Sequence, residues 1–255
     1  MKKILIYSRY FTEAIAMGNM PLLITALRFA LQKKHPAKDV VIKNPKMGTV
    51  HCRKNTTDFM FSFYAYEYGV KEFLMKHKDD YTHFLDIGAC IGDYSLLMAK
   101  NGMEVVAFEP VEENYVQLQK NIEVNGLSGN ISTQKLALGK EEGTTVFNVR
   151  EDNKGASSRD NAYKSAYTYT VQVNTLDAIG SSLGDIENCI LKIDAEGMEV
   201  EVLLGADSFI KNLKKALIII EVTLTQRAEI ESILKGHNNH SIVPIDEFNM
   251  GIFIN

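Results

Sequence analysis

The chain has 255 residues and is 45% hydrophobic, which suffices for one large domain with its own core. Its 28 basic and 32 acidic residues give a net charge of −4, so no basic field favours nucleic-acid binding. Three widely spaced cysteines without a CxxC or Cys/His cluster indicate a reducing compartment and no metal site. In MKKILIYSRYF, Ser8 and Arg9 break the apolar run, so we expect neither a signal peptide nor a membrane span and place the protein in the cytoplasm.

The first 80 residues lack the alternating pattern of the remaining chain and are expected to form an N-terminal extension. MPLLITALRFALQKK has a helical pattern, and DVVIKNPKMGTVHCRK is typical of a hairpin. The sequence leaves open whether this extension is a lid or a contact in a homodimer. Residues 81–255 are expected to form the main domain, with an insertion at residues 143–177.

From Thr82 onward, short apolar runs alternate with segments of helical periodicity. The predicted strands are THFLDIGA, EVVAFEP, NISTQKLALG, NCILKIDAEG, KALIIIEVT, HSIVPI and GIFIN. The predicted helices are GDYSLLMAKNG, VEENYVQLQKNIEVNG, MEVEVLLGADSFIKN and RAEIESILKGH. This alternation predicts an α/β fold with a mainly parallel sheet, helices on both faces and right-handed crossovers. The DEFNM link is too short for a crossover, so the last two strands should pair as an antiparallel hairpin.

The insertion interrupts this alternation between the third and fourth strands. TTVFNVRED and TYTVQVNTLDAI are predicted strands on either side of the polar loop NKGASSRDNAYKSAY. Because loops often carry binding residues, Ser157, Ser158 and Arg159 are candidate contacts to an acceptor substrate.

The segment FLDIGACIGDYSLLMAK indicates a strand, a glycine turn and a helix, the arrangement with which α/β sheets bind cofactors. A dinucleotide turn would be GxGxxG, but Cys90 replaces its middle glycine and Asp93 its last. The side chain of Cys90 would block the approach of a pyrophosphate, and the carboxylate of Asp93 would repel it. The remaining pattern of Asp86, Gly88 and Gly92 favours an uncharged or cationic ligand. S-adenosylmethionine fits, because its sulfonium is positive and it carries no phosphate.

Charged residues lie at the ends of two further strands. Glu109 ends VVAFE, where a carboxylate can bind both hydroxyls of a ribose. In LKIDAEG, Lys192, Asp194 and Glu196 are two residues apart and share one face of the strand. In a doubly wound sheet the fourth strand lies beside the first, so these groups should face the glycine turn across a crevice. Charges in such a place are seldom left without a partner or a use.

Together these segments resemble the FkbM family of S-adenosylmethionine-dependent methyltransferases. The resemblance covers roughly residues 50–222 and rests on the glycine turn and on CRKNTTDFMF, VVAFEPVEENYVQLQKNIEVNG, LALGKEEGTTVFNV, GASS, VNTLDAI, LKIDAEGMEVEVLLGA and IIIEV. It implies the Rossmann-like class I methyltransferase fold, with a seven-stranded sheet of order 3-2-1-4-5-7-6 and an antiparallel last strand. It also implies methyl transfer to a hydroxyl of a sugar, a glycan or a polyketide-like small molecule.

The same resemblance implies roles for individual residues. Asp86, Gly88 and Gly92 would border the methionine part of the cofactor, and Glu109 would hold the ribose. Asp194 and Glu196 would flank the reacting end. The remaining expected cofactor contacts are Ala89, Cys90, Pro110, Ala137 and Leu138. The family usually has a small polar residue, often Asn, where this chain has Cys90.

A base is needed to take the proton of the acceptor hydroxyl, and the strand-end acids are the candidates. Asp194 is the first, Glu196 is the second, and Lys192 could orient either. Glu221, at the end of the fifth predicted strand, could contact the acceptor. A structural alternative stays open: these acids could cap turns, Glu109 could be a surface helix cap, and the glycines could form a plain tight turn.

Two other classes of function also stay open. An RNA methyltransferase is one, because AFEPVEENYVQLQKNIEVNG also resembles a segment of archaeal-type tRNA guanine methyltransferases. The acidic balance and the lack of an Asn-Pro-Pro-Tyr-like tetrad or an RNA-binding module weigh against it. The other is a non-catalytic scaffold, against which the presence of Asp86, Glu109 and Asp194 weighs. The expected partner is therefore a small-molecule or glycan hydroxyl acceptor, and neither nucleic acid nor a membrane is an expected partner.

Overall fold

A computed structural model describes residues 2–149, 167–235 and 240–255. Residues 2–80 form helices and a two-stranded hairpin. The elements are α1 (Lys2–Ala16), α2 (Met20–Gln32), β1 (Val40–Asn44), β2 (Gly48–Cys52), α3 (Asp58–Phe61) and α4 (Tyr68–His77). The expected helix and hairpin are confirmed as α2 and β1–β2. Helix α1 was not predicted, although Tyr10 and Ala14, one turn apart, are both buried.

The rest of the chain alternates strands and helices, as expected. In order, the elements are β3 (His83–Ile87), α5 (Asp93–Lys100), β4 (Glu104–Phe108), α6 (Glu112–Val124), β5 (Ile131–Gln134), β6 (Ala137–Leu138), β7 (Gly143–Val149), β8 (Tyr167–Asn174), α7 (Leu176–Ile179), β9 (Asn188–Ile193), α8 (Glu199–Leu204), α9 (Asp207–Asn212), β10 (Lys215–Glu221), α10 (Leu224–Leu234), β11 (His240–Pro244) and β12 (Asn249–Ile254). None of the described helices is both long and apolar enough to cross a membrane.

Seven strands form the central sheet in the order β11-β12-β10-β9-β3-β4-β5. Neighbouring strands are parallel, except that β12 runs antiparallel to both β10 and β11. This is the expected strand order, so the predicted sheet and its final hairpin are confirmed. At the centre, β9 lies beside β3, and the carboxyl ends of the two strands border one crevice.

The sheet separates two hydrophobic cores. Along β10, Leu217 and Ile219 point into one core, whereas Ile218 and Ile220 point into the other, as the two-residue period of a strand requires. The first core also contains Leu22 of the extension, together with residues of α3, α4 and α5. The extension therefore packs directly on the main domain.

Amide side chains of α6 hold the hairpin of the extension. Asn121 Oδ1 accepts a hydrogen bond from His51 N–H at 2.9 Å, and Asn125 Oδ1 accepts one from Thr49 N–H at 2.8 Å. Gln117 Nε2 donates to the His51 carbonyl at 2.8 Å. Strand β2 thereby gains partners along the edge that faces away from β1, and the extension is fixed to the helix that follows β4.

Two elements predicted as continuous are divided. Residues 130–139 form β5 and β6 in different sheets, because β6 pairs with β8. Strands β6, β8 and β7 form a three-stranded sheet, which confirms the two strands expected around the insertion loop. Residues 198–212 form α8 and α9 instead of one helix. Gly205 lies between them, and a Cβ there would be 2.0 Å from the Gly139 carbonyl oxygen, so the chain needs glycine at this close approach.

Candidate active site

Two connected chambers lie at the carboxyl ends of the central strands. We call them the apolar chamber and the acidic chamber, after the side chains that line them. With their open mouths they enclose ≈ 470 Å³ and ≈ 690 Å³. Gly88, Cys90, Asp194 and Glu196 line both chambers. A ligand that occupied both chambers would pass these four residues.

The apolar chamber is walled mainly by hydrophobic side chains. Phe108 of β4, Leu138 of β6 and Phe147 of β7 supply these walls, and each is at most 4% exposed. The predicted residues Pro110 and Ala137 also line this chamber. Glu109 contributes a carboxyl group to an otherwise mostly apolar lining.

Gly88 lets the turn after β3 touch the end of β9. Its φ is +87°, and a Cβ at this position would lie 1.8 Å from the Asp194 carbonyl oxygen. Gly88 N–H donates to the Phe108 carbonyl at 3.0 Å, and Asp194 N–H donates to the Ile87 carbonyl at 3.0 Å. Three strands are thus joined at this point. A plain tight turn would explain the positive φ but not the close approach to Asp194.

Gly92 has a different role from Gly88. Its φ is +92°, and a Cβ would lie 2.5 Å from Leu118 Cδ1 of α6. Among the described residues that line the two chambers, Gly92 is absent. Gly92 therefore allows α6 to pack against the start of α5.

Glu109 connects the glycine turn to the end of β4. The residue is 4% exposed, and its carboxyl accepts hydrogen bonds from the N–H groups of Cys90 and Val111, both at 2.8 Å. Burial raises the pKa of Glu109 to about 7, although these N–H groups oppose the shift. Glu109 is therefore a buried carboxyl in the chamber wall and not a surface helix cap.

The backbone of Cys90 adopts a left-handed conformation. Its φ is +48°, in a region where Asn is enriched among non-glycine residues. This conformation accounts for the Asn that is common at this position in the family that the sequence resembles. Cys90 is half-buried, and desolvation of its thiol raises its pKa well above the usual value, which keeps the thiol neutral.

Lys192 is the central cation of the acidic chamber. It is 4% exposed, and its Nζ donates to Asp194 Oδ2 at 2.9 Å and lies 4.5 Å from the centroid of the Tyr94 ring. Burial alone would lower its pKa, but the nearby carboxylates of Asp194, Glu67 and Asp86 raise it, so the amine stays charged. Lys192 thereby fixes the orientation of the Asp194 carboxylate.

Asp86 lies opposite Lys192 on the neighbouring strand β3. It is 1% exposed, and its Oδ2 accepts a hydrogen bond from Ser95 Oγ at 2.5 Å. Burial raises its pKa to about 6, and the charge of Lys192 opposes that shift. Asp86 and Ala89, both predicted as cofactor contacts, line the acidic chamber.

Glu196 and Glu221 are carboxyls with raised pKa values. Burial and the negative charge of Asp194 raise the pKa of each to about 8. Glu221 ends β10 at the exposed mouth of the chamber, and its carboxyl hydrogen-bonds that of Asp194. Neighbouring carboxyls in one site cannot all ionise readily, so one of them keeps its proton near neutral pH.

Glu199 holds the turn between β9 and α8. Its Oε1 accepts hydrogen bonds from the N–H groups of Ala195 at 3.1 Å and Gly197 at 3.0 Å. The structural alternative stated above was that Asp194 and Glu196 hold this turn. Because Glu199 performs it, those two residues are left to line the chambers.

The extension contributes residues that the sequence analysis missed. Phe61, Tyr66 and Glu67 line the acidic chamber, together with Tyr94 of α5. Tyr94 Oη donates to Glu67 Oε2 at 2.6 Å, and Glu67 adopts a φ of +46°. The two residues are 27 positions apart, so no local pattern could pair them.

A buried ion pair also joins the extension to the glycine turn. Lys71 is 0% exposed, and its Nζ donates to Asp93 Oδ2 at 3.1 Å and to the Tyr66 carbonyl at 2.9 Å. Asp93 begins α5 and lines the acidic chamber. Its negative charge is therefore balanced by a lysine from a distant part of the chain.

The predicted acceptor contacts Ser157, Ser158 and Arg159 lie outside the described residues, and their role stays a prediction. Within residues 2–149, 167–235 and 240–255, no group of three or more His, Cys, Asp or Glu side chains is arranged to hold a metal ion.

Comparison with known proteins gives matches over the same region. The family model described as "Methyltransferase FkbM domain" matches residues 86–241. "Methyltransferase 1" of Beauveria bassiana (strain ARSEF 2860) is 27% identical over 150 residues, which cover 50% of this chain. The match spans 59% of the length of that relative.

Two solved structures are similar in fold. Methyltransferase FkbM from Methylobacillus flagellatus KT has a TM-score of 0.50 and 18% identity, covering 78% of this chain and 54% of that chain. The N-terminal domain of human METTL16 in complex with SAH has a TM-score of 0.47 and 17% identity, covering 92% of this chain and 82% of that chain. The second similarity is too distant to bear on function. Because the family model matches more than half of the chain and includes both strand ends that form the chamber junction, the chain belongs to the methyltransferase FkbM domain family.

Proposed function

We propose that this chain is an S-adenosylmethionine-dependent methyltransferase that acts on a hydroxyl of a sugar, a glycan or a polyketide-like small molecule. The observation that carries this proposal is the junction of the two chambers at Gly88, Cys90, Asp194 and Glu196. The apolar chamber suits a nucleoside, and the acidic chamber suits both the positively charged remainder of the donor and a polar acceptor, so a methyl donor and its acceptor would meet near this junction. Membership in the FkbM family supports the reaction class.

The apolar chamber fits the nucleoside part of S-adenosylmethionine. Phe108, Leu138 and Phe147 offer apolar walls for an adenine, and the Glu109 carboxyl can accept hydrogen bonds from both ribose hydroxyls. Lys71, the buried cation beside the start of α5, is already paired with Asp93. That pairing disfavours a cofactor that carries a pyrophosphate.

The acidic chamber fits the remaining, positively charged part of the cofactor. Asp86 and Ala89 border it next to the glycine turn, where a ligand amine would find carboxyl oxygens as partners. When bound, S-adenosylmethionine supplies a methyl group on a positively charged sulfur, already activated for transfer. The chain then needs only to hold the acceptor oxygen in line and to take its proton.

Asp194 is our candidate for the group that takes this proton. It lines both chambers, and Lys192 holds its carboxylate at 2.9 Å. Transfer would form the C–O bond as the bond between sulfur and methyl breaks and S-adenosylhomocysteine leaves. The Asp194 carboxylate would take the hydroxyl proton, and its hydrogen bond to Glu221 would let the pair share it. Glu196, whose pKa lies near 8, is the second candidate for the same proton.

The lining of the acidic chamber supports an acceptor without phosphate groups. Its carboxyls are those of Glu67, Asp86, Asp93, Asp194, Glu196 and Glu221. A polyphosphate such as RNA would meet these carboxylates at the mouth, which disfavours the RNA methyltransferase alternative. A polyol can both donate to and accept from carboxyls in mixed protonation states.

Calorimetric titration with S-adenosylmethionine and S-adenosylhomocysteine tests the cofactor assignment. We expect binding by the parent chain and about 10-fold to 100-fold weaker binding by Glu109→Gln, because a hydrogen bond to a charged group is lost. Glu112→Gln is the matched control, since Glu112 is half-exposed, faces Lys135 and lies outside both chambers. A parent chain that binds neither compound would refute the cofactor assignment.

The variant Asp194→Asn separates an enzyme from a non-catalytic scaffold. If the chain is an enzyme, this variant should keep cofactor binding and lose methyl transfer to hydroxyl acceptors, measured as release of S-adenosylhomocysteine. A parent chain that binds cofactor but transfers no methyl group across a panel of sugars, glycans and polyketide-like alcohols would favour the scaffold. Equal turnover by parent and variant would remove Asp194 from the mechanism.

A further inference from the structure

Helix α2 carries a hydrophobic stripe on its outer face. Met20, Ile24, Leu27 and Leu31 are exposed by 57%, 46%, 37% and 80%. Their spacing of four, three and four residues places them along one line of the helix surface. Four consecutive exposed apolar positions on one face differ from the scattered surface hydrophobics of an ordinary protein.

The opposite face of α2 packs against the rest of the protein. Leu22 and Ala26 are 4% and 5% exposed and belong to the core that the extension shares with the main domain. The helix is therefore apolar on two sides, although packing against the protein requires only one. The outer stripe has no structural use within the described chain.

The charges of the chain are distributed unevenly around this stripe. Residues 1–34 contain six basic residues and one acidic residue, a net charge of +5. The remaining residues contain 22 basic and 31 acidic residues, a net charge of −9. Arg28, within the stripe-bearing helix, and Lys34, just after it, are both exposed. The outer stripe is thus bordered by positive charge on a chain that is otherwise negative.

We propose that α2 docks this protein on a lipid surface that carries anionic headgroups. An interfacial helix combines an apolar face, which enters the headgroup region, with flanking lysines and arginines, which bind the acidic lipids. The outer stripe and its basic border supply both parts.

A second copy of the chain fits the outer stripe less well than an anionic lipid surface does. Two-fold pairing of the α2 stripes would place a segment of +5 beside an identical segment. The charge of the single acidic residue of the segment, Glu13, is already included in this net charge, and backbone N–H groups of Tyr64 and Ala65 hold its carboxyl. An anionic surface, in contrast, complements the charge.

Docking through α2 would leave the proposed reaction site open. Among the described residues that line the two chambers, none belongs to α2. Substitutions on the outer stripe should therefore change lipid binding without changing the chambers, and the proposal can fail or succeed independently of the methyltransferase assignment.

Vesicle sedimentation of the full chain tests the proposal. We expect binding to vesicles of equal parts phosphatidylglycerol and phosphatidylcholine, and much weaker binding to phosphatidylcholine alone. Leu27→Ser combined with Leu31→Ser should weaken the partition on the order of 100-fold, because two large apolar side chains are lost from the interface. Arg28→Gln combined with Lys34→Gln should weaken it roughly 30-fold at low salt and less at high salt.

Matched controls and a size measurement complete the test. Val116→Ser removes an equally exposed apolar residue from α6, and Lys214→Gln removes an exposed cation near β10; both should bind vesicles as the parent does. Circular dichroism should confirm that every variant is folded. Equal binding to both vesicle types, or equal binding by the leucine variant and the parent, would overturn the proposal. A dimer in solution that the leucine variant dissolves, without vesicle binding by the parent, would also overturn it.

Discussion

Replacing Gly88 with alanine tests whether the close approach of β3 and β9 builds the chamber junction. At Gly88 a Cβ would lie 1.8 Å from the Asp194 carbonyl oxygen, with φ at +87°. Gly102 is a matched control, because its φ is +88° and nothing lies within 4 Å of a Cβ there. Both substitutions strain the backbone to the same degree, and only Gly88→Ala adds an overlap.

The structure allows the two costs to be separated. Placing alanine in a left-handed conformation costs about 1–2 kcal/mol, so Gly102→Ala should lower the free energy of unfolding by that amount. Overpacking typically adds about 1–3 kcal/mol. Since the contact at Gly88 is with a backbone oxygen, no side-chain rotation can relieve it, and Gly88→Ala should lose about 2–5 kcal/mol in total.

Urea unfolding followed by circular dichroism measures these losses, since the chain has no tryptophan to report by fluorescence. Calorimetry with S-adenosylhomocysteine then measures the effect on the junction, where any relief of the overlap must move Asp194. We expect Gly88→Ala to lose cofactor binding and Gly102→Ala to keep it. If both variants lose the same stability and bind the cofactor equally, the reasoning from the close approach is wrong.

Two further predictions concern the carboxyls of the site. Glu67→Gln should reduce turnover about 10-fold to 100-fold while cofactor affinity is kept, because a charged partner is lost from the acidic chamber. Glu72→Gln is the control, since it alters a similar contact to a tyrosine outside both chambers. Equal losses of turnover in the two variants would contradict the prediction. Stability should fall as pH rises from 4.5 to 8, because burial raises the pKa of Asp86 to about 6, of Glu109 to about 7 and of Glu196 to about 8. The native protein then holds protons that the unfolded chain has released. Urea unfolding across this interval measures the free energy of unfolding at each pH. In Glu109→Gln, the fall in this free energy below pH 7 should be smaller by about 3 kcal/mol than in the parent, and a stability that rises with pH would contradict this reasoning.

The sheet and the chamber junction could be predicted from the sequence because they follow from local patterns and general topology. Alternating strands and helices with right-handed crossovers fix the strand order. The first and fourth strands then become neighbours, which brings Gly88 to Asp194. Periodicity also separated the two faces of β10, since every second residue enters the same core.

The missed features depend on contacts between distant segments. Glu67 was missed because its partner Tyr94 lies on another element, and a lone Glu beside tyrosines carries no catalytic pattern. The break between β5 and β6 depends on the pairing of β6 with β8, in which Ala137 lies opposite Val173. For Glu67 and for this break, tertiary contacts decide what local preference leaves open. Glu199 is an exception, because it holds the β9–α8 turn through local hydrogen bonds from Ala195 and Gly197. It was overlooked because Asp194 and Glu196 lie closer to the strand end.

The two chambers differ in the parts of the chain that build them, and this difference bears on substrate choice. The residues that line the apolar chamber lie between Ile87 and Met198, within the main domain. The acidic chamber adds Tyr66 and Glu67 of the extension, held by the buried Lys71. Under the proposed function, binding of the nucleoside part can therefore stay constant while the extension changes the shape and charge of the acidic chamber. At neutral pH the acidic chamber also holds carboxyls that keep their proton beside a carboxylate paired with Lys192, so a hydroxyl there finds both a donor and an acceptor. Under the proposed function, acceptor selection would be a joint property of the strand ends and the extension.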